Sequence, residues 1–128
     1  MMKRLLLVAL IGLASACERN TAPVAGLINV GLTTPNGGND AAILLTITGP
    51  AALTNVNAPA GLRLFTQPPP LGTTNRFALT GTIRSGTILT IGVADVNKAS
   101  AYTATIQQVA TAAYQLRALT GYSLKVSQ

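Results

Sequence analysis

The side chains best suited to covalent or acid–base chemistry in this sequence are the thiol of Cys17 and the carboxylates of Glu18, Asp40 and Asp95. Histidine, the group most often used for proton transfer near neutral pH, is absent, as is tryptophan. Glycoside hydrolysis normally needs two carboxylates facing each other across a bond. With Glu18 set beside Cys17, Asp40 and Asp95 are the pair that remains. Asp40 ends the run PNGGND (35–40) and Asp95 lies in ADVNK (94–98). Both runs read as turns or loops, where Asp has a structural use of its own. A serine or threonine nucleophile would have only Lys98 or Lys125 as a base. Asn36, Asn39 and Asp40 offer the hard oxygen donors that calcium takes. With a single carboxylate among them, the run reads first as a hairpin turn, and no metal or other cofactor is expected.

The thiol has a more specific setting. Lys3 and Arg4 precede an apolar run, Leu5 to Leu13, and the small residues Ala14, Ser15 and Ala16 follow it, just before Cys17. This is the order of an export signal, with a basic end, an apolar segment and a small-residue cleavage site. The apolar run is shorter than the roughly 20 residues that a membrane-spanning helix needs. Cleavage at Ala14-x-Ala16 by the ordinary peptidase would leave a free thiol. The same residues resemble the lipobox of bacterial lipoproteins, departing from it at Ala14, where Leu or Val is more usual. The resemblance implies cleavage between Ala16 and Cys17, a diacylglyceryl group on the Cys17 sulfur and a further acyl chain on the new amine. It also implies an outer-membrane address, because Glu18 rather than Asp follows the cysteine. One acyl chain holds a protein weakly to a bilayer and two or more hold it firmly.

The organisation expected is therefore a signal peptide with its helix over 1–16, a lipidated cysteine and tether over 17–25, and one domain over 26–128. Loss of Lys3 and Arg4 with the signal lowers the formal charge from +6 to +4. The remaining cations are scattered singly, whereas nucleic-acid binding calls for clustered ones. Cys17 is the only cysteine, so no disulfide forms within the chain and the domain must stand on burial and hydrogen bonding.

Alternation of apolar residues predicts strands. Ile28, Val30 and Leu32 alternate, and AAILLTIT (41–48) is β-branched and apolar enough for a strand deep in a sheet. PNGGND between them suggests a hairpin. LTNV (53–56), LRLFT (62–66), RFALTGTI (76–83), TILTIGV (87–93) and GYSLKV (121–126) are further strands, with PPPLGTTN (68–75) as a stiff connection. Residues 99–119 carry both a helical and a strand period. Thr103 and Thr105 favour strands, and two strands joined near 110–113 are preferred to a helix. Phe65, Phe77, Tyr102, Tyr114 and Tyr122 mostly alternate with aliphatics, as core residues do. Arg63 and Arg84 suit either the flank of a binding surface or a charged strand edge.

Many short strands with Gly- and Pro-bearing turns predict an all-β fold, a small antiparallel β-sandwich. AAILLTITGPAALTNV and SGTILTIGVADV resemble the corresponding strands of cohesin-like and carbohydrate-module sandwiches, with Gly49–Pro50 as the corner. Gly86, Leu89 and Val93 match the later strand of that pattern. The expectation for function is a non-catalytic envelope module, attached to a membrane through Cys17, that binds a protein partner or serves a structural role. A polysaccharide ligand stands second and a hydrolase built on Asp40 and Asp95 third.

Overall fold

The computed structural model describes residues 22–66 and 71–128. The expected signal segment, Ala16, Cys17, the first part of the expected tether and the start of the expected 68–75 connection lie outside the described residues. The fold is all-β, with two four-stranded antiparallel sheets enclosing one core. Eight strands follow in order: β1 Gly26–Thr33, β2 Asp40–Thr48, β3 Asn55–Asn57, β4 Leu62–Thr66, β5 Thr74–Ile83, β6 Gly86–Val93, β7 Thr103–Thr111 and β8 Ser123–Ser127. A short 3-10 helix, η1, spans Val96–Ala101 between β6 and β7. The first sheet has the order β3-β6-β1-β8 and the second β4-β5-β2-β7.

Period-2 patterning builds the core directly. Ile28, Val30 and Leu32 point inward from β1, Ile43, Leu45 and Ile47 from β2, Phe77 and Leu79 from β5, and Leu89, Ile91 and Val93 from β6; all are buried. Each such side chain contributes about 1.5–3 kcal/mol on removal from water. The four strands that carry them are the inner strands of the two sheets, where both edges are also hydrogen-bonded.

Two expectations are corrected. β1 and β2 do not form a hairpin: β1 pairs with β6 and β8, β2 with β5 and β7, and the 34–39 turn carries the chain from one sheet to the other. Each strand has one strongly apolar face, and crossing between the sheets lets both faces meet across the core. In 99–119, β7 forms as a strand, but its expected partner shrinks to a single bridge between Ala110 and Leu116. The chain instead turns at Thr111, whose hydroxyl accepts from the backbone N–H groups of Ala113 and Gln115. Residues 99–101 join η1.

One glycine fixes the corner after β2. A Cβ on Gly49 would lie 2.1 Å from Cδ1 of Tyr102, so the buried Tyr102 ring packs where only a glycine leaves room.

Candidate binding face

The two ends of the sandwich separate the residues that could have worked together. At the far end, Asp40 opens β2 and is buried, where the run PNGGND predicts a place in the turn. Arg117 Nε donates to its Oδ1 at 3.0 Å, while Thr34 Oγ1 and Tyr122 OH donate to its Oδ2, each at 2.9 Å. Asn36 Nδ2 in turn donates to the Tyr122 oxygen at 2.9 Å. The anion thus ties the β1–β2 turn to the segment that leads into β8. Asn39 is exposed beside it. The Asn36–Asn39–Asp40 trio is a turn joined to an inward-facing ion pair, and the three do not share an oxygen cage.

At the near end, Asp95 caps η1. Its Oδ1 accepts from Asn97 N at 3.0 Å and from Val24 N at 3.3 Å, and Val96 N donates to Val24 O at 2.8 Å. These bonds pin the chain entering β1. The whole of β1 lies between the two aspartates, eight residues or about 27 Å of extended chain. The structure does not bring them together as a dyad, and no group of three or more His, Cys, Asp or Glu side chains converges among the described residues.

The outer faces of the two sheets differ sharply in chemistry. Across the first, Asn57, Thr90, Asn29 and Ser127 are register partners in one row. Thr87, Gly31 and Lys125 form another. Leu27 is the exposed large apolar side chain on this face. Across the second sheet, Phe65, Ala78, Leu44 and Gln108 stand side by side. The next row holds Arg63, Thr80, Ala42 and Ala110, with Leu116 bridged beyond Ala110. Phe65 is 51% exposed and Leu116 66%. Between them, Ala42, Leu44, Ala78, Gln108, Ala110 and Leu116 line a shallow cavity of about 100 Å³. The alanines create it, since their short side chains leave a hollow between Leu44 and Leu116.

Cations edge this strip and carboxylates do not. The guanidinium of Arg63 sits 5.9 Å from the centroid of the Phe65 ring, a cation–π arrangement. Arg76 lies two residues before Ala78 on β5, on the same face, beside Thr46. Asp40 and Asp95, the side-chain carboxylates of the described residues, are buried in the ion pair and engaged at the near end respectively. Comparison with protein-family models, curated proteins and solved structures finds no match.

Of the aromatic residues, Phe77 and Tyr102 are buried and Tyr122 half-buried, as expected of core side chains. Phe65 and Tyr114 are not: Tyr114 is 95% exposed at the turn after β7, with φ of 63°. Arg84 is exposed in the β5–β6 turn beside Gly38. Arg117 and Tyr122 escaped the sequence reading because their partner Asp40 lies 77 and 82 residues away. The apolar strip has a weak signature in the sequence. Ala42, Leu44 and Ala78 occupy the outward positions of β2 and β5, where a solvated sheet would alternate to polar residues.

Proposed function

We propose that this protein is a lipid-anchored module of the cell envelope, held at an outer membrane by acyl chains on Cys17, which recognises a protein partner through the outer face of the β4-β5-β2-β7 sheet. The observation that carries the recognition reading is the contrast between the two outer faces. One is Asn-, Thr- and Ser-rich; the other has an apolar strip with a hollow at its centre and arginines at its side. Strips of this kind form the buried centre of protein contacts, with a polar rim around them. The anchor reading rests on the sequence from Lys3 to Glu18. The first described residues suit a tether, exposed up to the point where Val24 is pinned beside Asp95.

A polysaccharide ligand is the second reading, favoured by the exposure of Phe65 and Tyr114. Sugars stack on such rings, and Arg63 beside Phe65 can donate hydrogen bonds to hydroxyl or acidic groups.

The test is fractionation joined to crosslinking in cells that express the full chain. The mature protein is expected in the membrane fraction with the mass of its acyl chains, and Cys17→Ser is expected to lose both. Leu44→Lys should abolish crosslinking to one dominant envelope protein, while Thr90→Lys on the opposite face should leave it unchanged. An unacylated, soluble mature protein would overturn the anchor. A partner indifferent to Leu44→Lys but lost with Thr90→Lys would overturn the assigned face. Protection of the domain by an envelope glycan, seen as a raised Tm lost in Phe65→Ala, would favour the second reading.

A further inference from the structure

We infer that the occupant of this face is an acidic segment of a partner protein, which places one branched aliphatic side chain in the alanine-lined hollow and carboxylates against Arg63 and Arg76. The inference rests on the proposed recognition role and specifies its chemistry. The hollow sets the first requirement. A cavity of about 150 Å³ holds a benzene ring, so one of about 100 Å³ fits an aliphatic side chain. It is lined by the side chains of Ala42, Leu44, Ala78, Ala110 and Leu116, with Ile43 beneath and Gln108 as the polar side chain.

Charge sets the second requirement. Arg63 and Arg76 lie on the same face as the hollow, and neither has a carboxylate partner among the described residues, where the one salt bridge is Arg117 to Asp40. A partner bearing carboxylates at that side neutralises both guanidiniums, and the planar fork of Arg suits bidentate pairing. Guanidinium pairing raises the association rate and selects the partner's orientation more than it raises affinity.

The same observations disfavour the other occupants. A second copy would bring Arg63 and Arg76 towards their own duplicates. The strip, four strand spacings or about 19 Å long and two residues wide, is the size of one docked segment, where a stable pair of copies needs roughly 800 Å² from each. A bilayer favours side chains that protrude, whereas this strip is recessed at its centre. A neutral glycan would leave both guanidiniums without a counter-charge.

The experiment places a photo-crosslinking amino acid at Gln108, at the edge of the hollow, and in a control at Thr90, in the full chain expressed in cells. Crosslinked peptides are then identified by mass. The expected result is a Gln108 crosslink to one segment of one partner that carries acidic residues near an aliphatic one. Its yield should fall at least tenfold in Ala78→Glu and in Arg63→Glu/Arg76→Glu, and should fall only slightly in Arg63→Lys/Arg76→Lys. A crosslinked partner segment without acidic residues, or one indifferent to the charge reversal, would overturn this inference and leave the recognition face standing. Crosslinks to a second copy, to lipid or to glycan would overturn the inference by naming another occupant. Absence of any Gln108 crosslink alongside a strong Thr90 crosslink would overturn the recognition face as well. Circular dichroism of each purified variant, compared with the parent, separates lost contact from lost fold.

Discussion

At the scale of single residues, the far-end ion pair has the largest energetic stake. Asp40 is fully sequestered, and Arg117 keeps 30% of its side chain exposed. Removing Arg117 leaves a buried anion with two hydroxyl donors and no counter-charge, a change that costs several kcal/mol in buried pairs and less where solvent reaches one partner. Arg117→Ala is expected to destabilise by about 2–3 kcal/mol. Asp40→Ala/Arg117→Ala should cost less than the sum of the single changes, with a coupling of roughly 1–3 kcal/mol. Urea unfolding of the four proteins in the cycle measures both. Tyr114 presents the opposite case. Its φ of 63° lies in the left-handed region, its side chain is 95% exposed, and nothing in its burial repays the strain. Left-handed backbone costs an ordinary residue about 1–2 kcal/mol, partly offset in a glycine variant by greater unfolded-state freedom. Tyr114→Gly should therefore stabilise by about 0.5–1 kcal/mol, seen as a higher Tm.

At the scale of elements, strands were legible because period 2 is a local property. LRLFT predicts a strand over 62–66 and is β4 over the same residues, and the other strands expected outside 99–119 agree within about two residues at their ends. What local patterning does not encode is partnership. The turn residues of PNGGND serve a two-residue hairpin or a crossing between sheets equally well, and the choice depends on β6 and β8, far along the chain. The Asp40 network was hidden for the same reason. Tyr114, Leu116 and Ala118 alternate as a strand would, but after the turn at Thr111 the chain meets the open edge of β7 at the single Ala110–Leu116 bridge and then leaves it for β8. The corner at Gly49 gives this scale its own test. Gly49→Ala would drive a methyl into the Tyr102 ring, and overpacking of this sort costs about 1–3 kcal/mol. Replacing the ring as well, in Gly49→Ala/Tyr102→Leu, should recover part of the loss. Thermal unfolding of the two variants and the parent checks this.

At the scale of the whole molecule, one core joins both sheets, so neither is expected to open alone. Hydrogen exchange measured by mass or NMR should find the slowest amides in β1, β2, β5 and β6 together, at one shared free energy of opening. β3 and residues 112–121 should exchange through local opening, because they have few core contacts and exposed backbone. Two sheets with clearly different slowest rates would show that the core does not unite them. The pairing of the first strand with the last has a kinetic consequence. Val30 is registered against Val126, so β1 stays without one of its neighbours until nearly the entire chain is free to move. Topologies dominated by such distant pairings fold in milliseconds to seconds, slower than helical bundles. On the export proposed for this chain, threaded end-first through a channel, that delay would be an advantage. The emerging N-terminal segment cannot complete its sheet while the C-terminal strand remains behind, so closure of the sandwich waits for release.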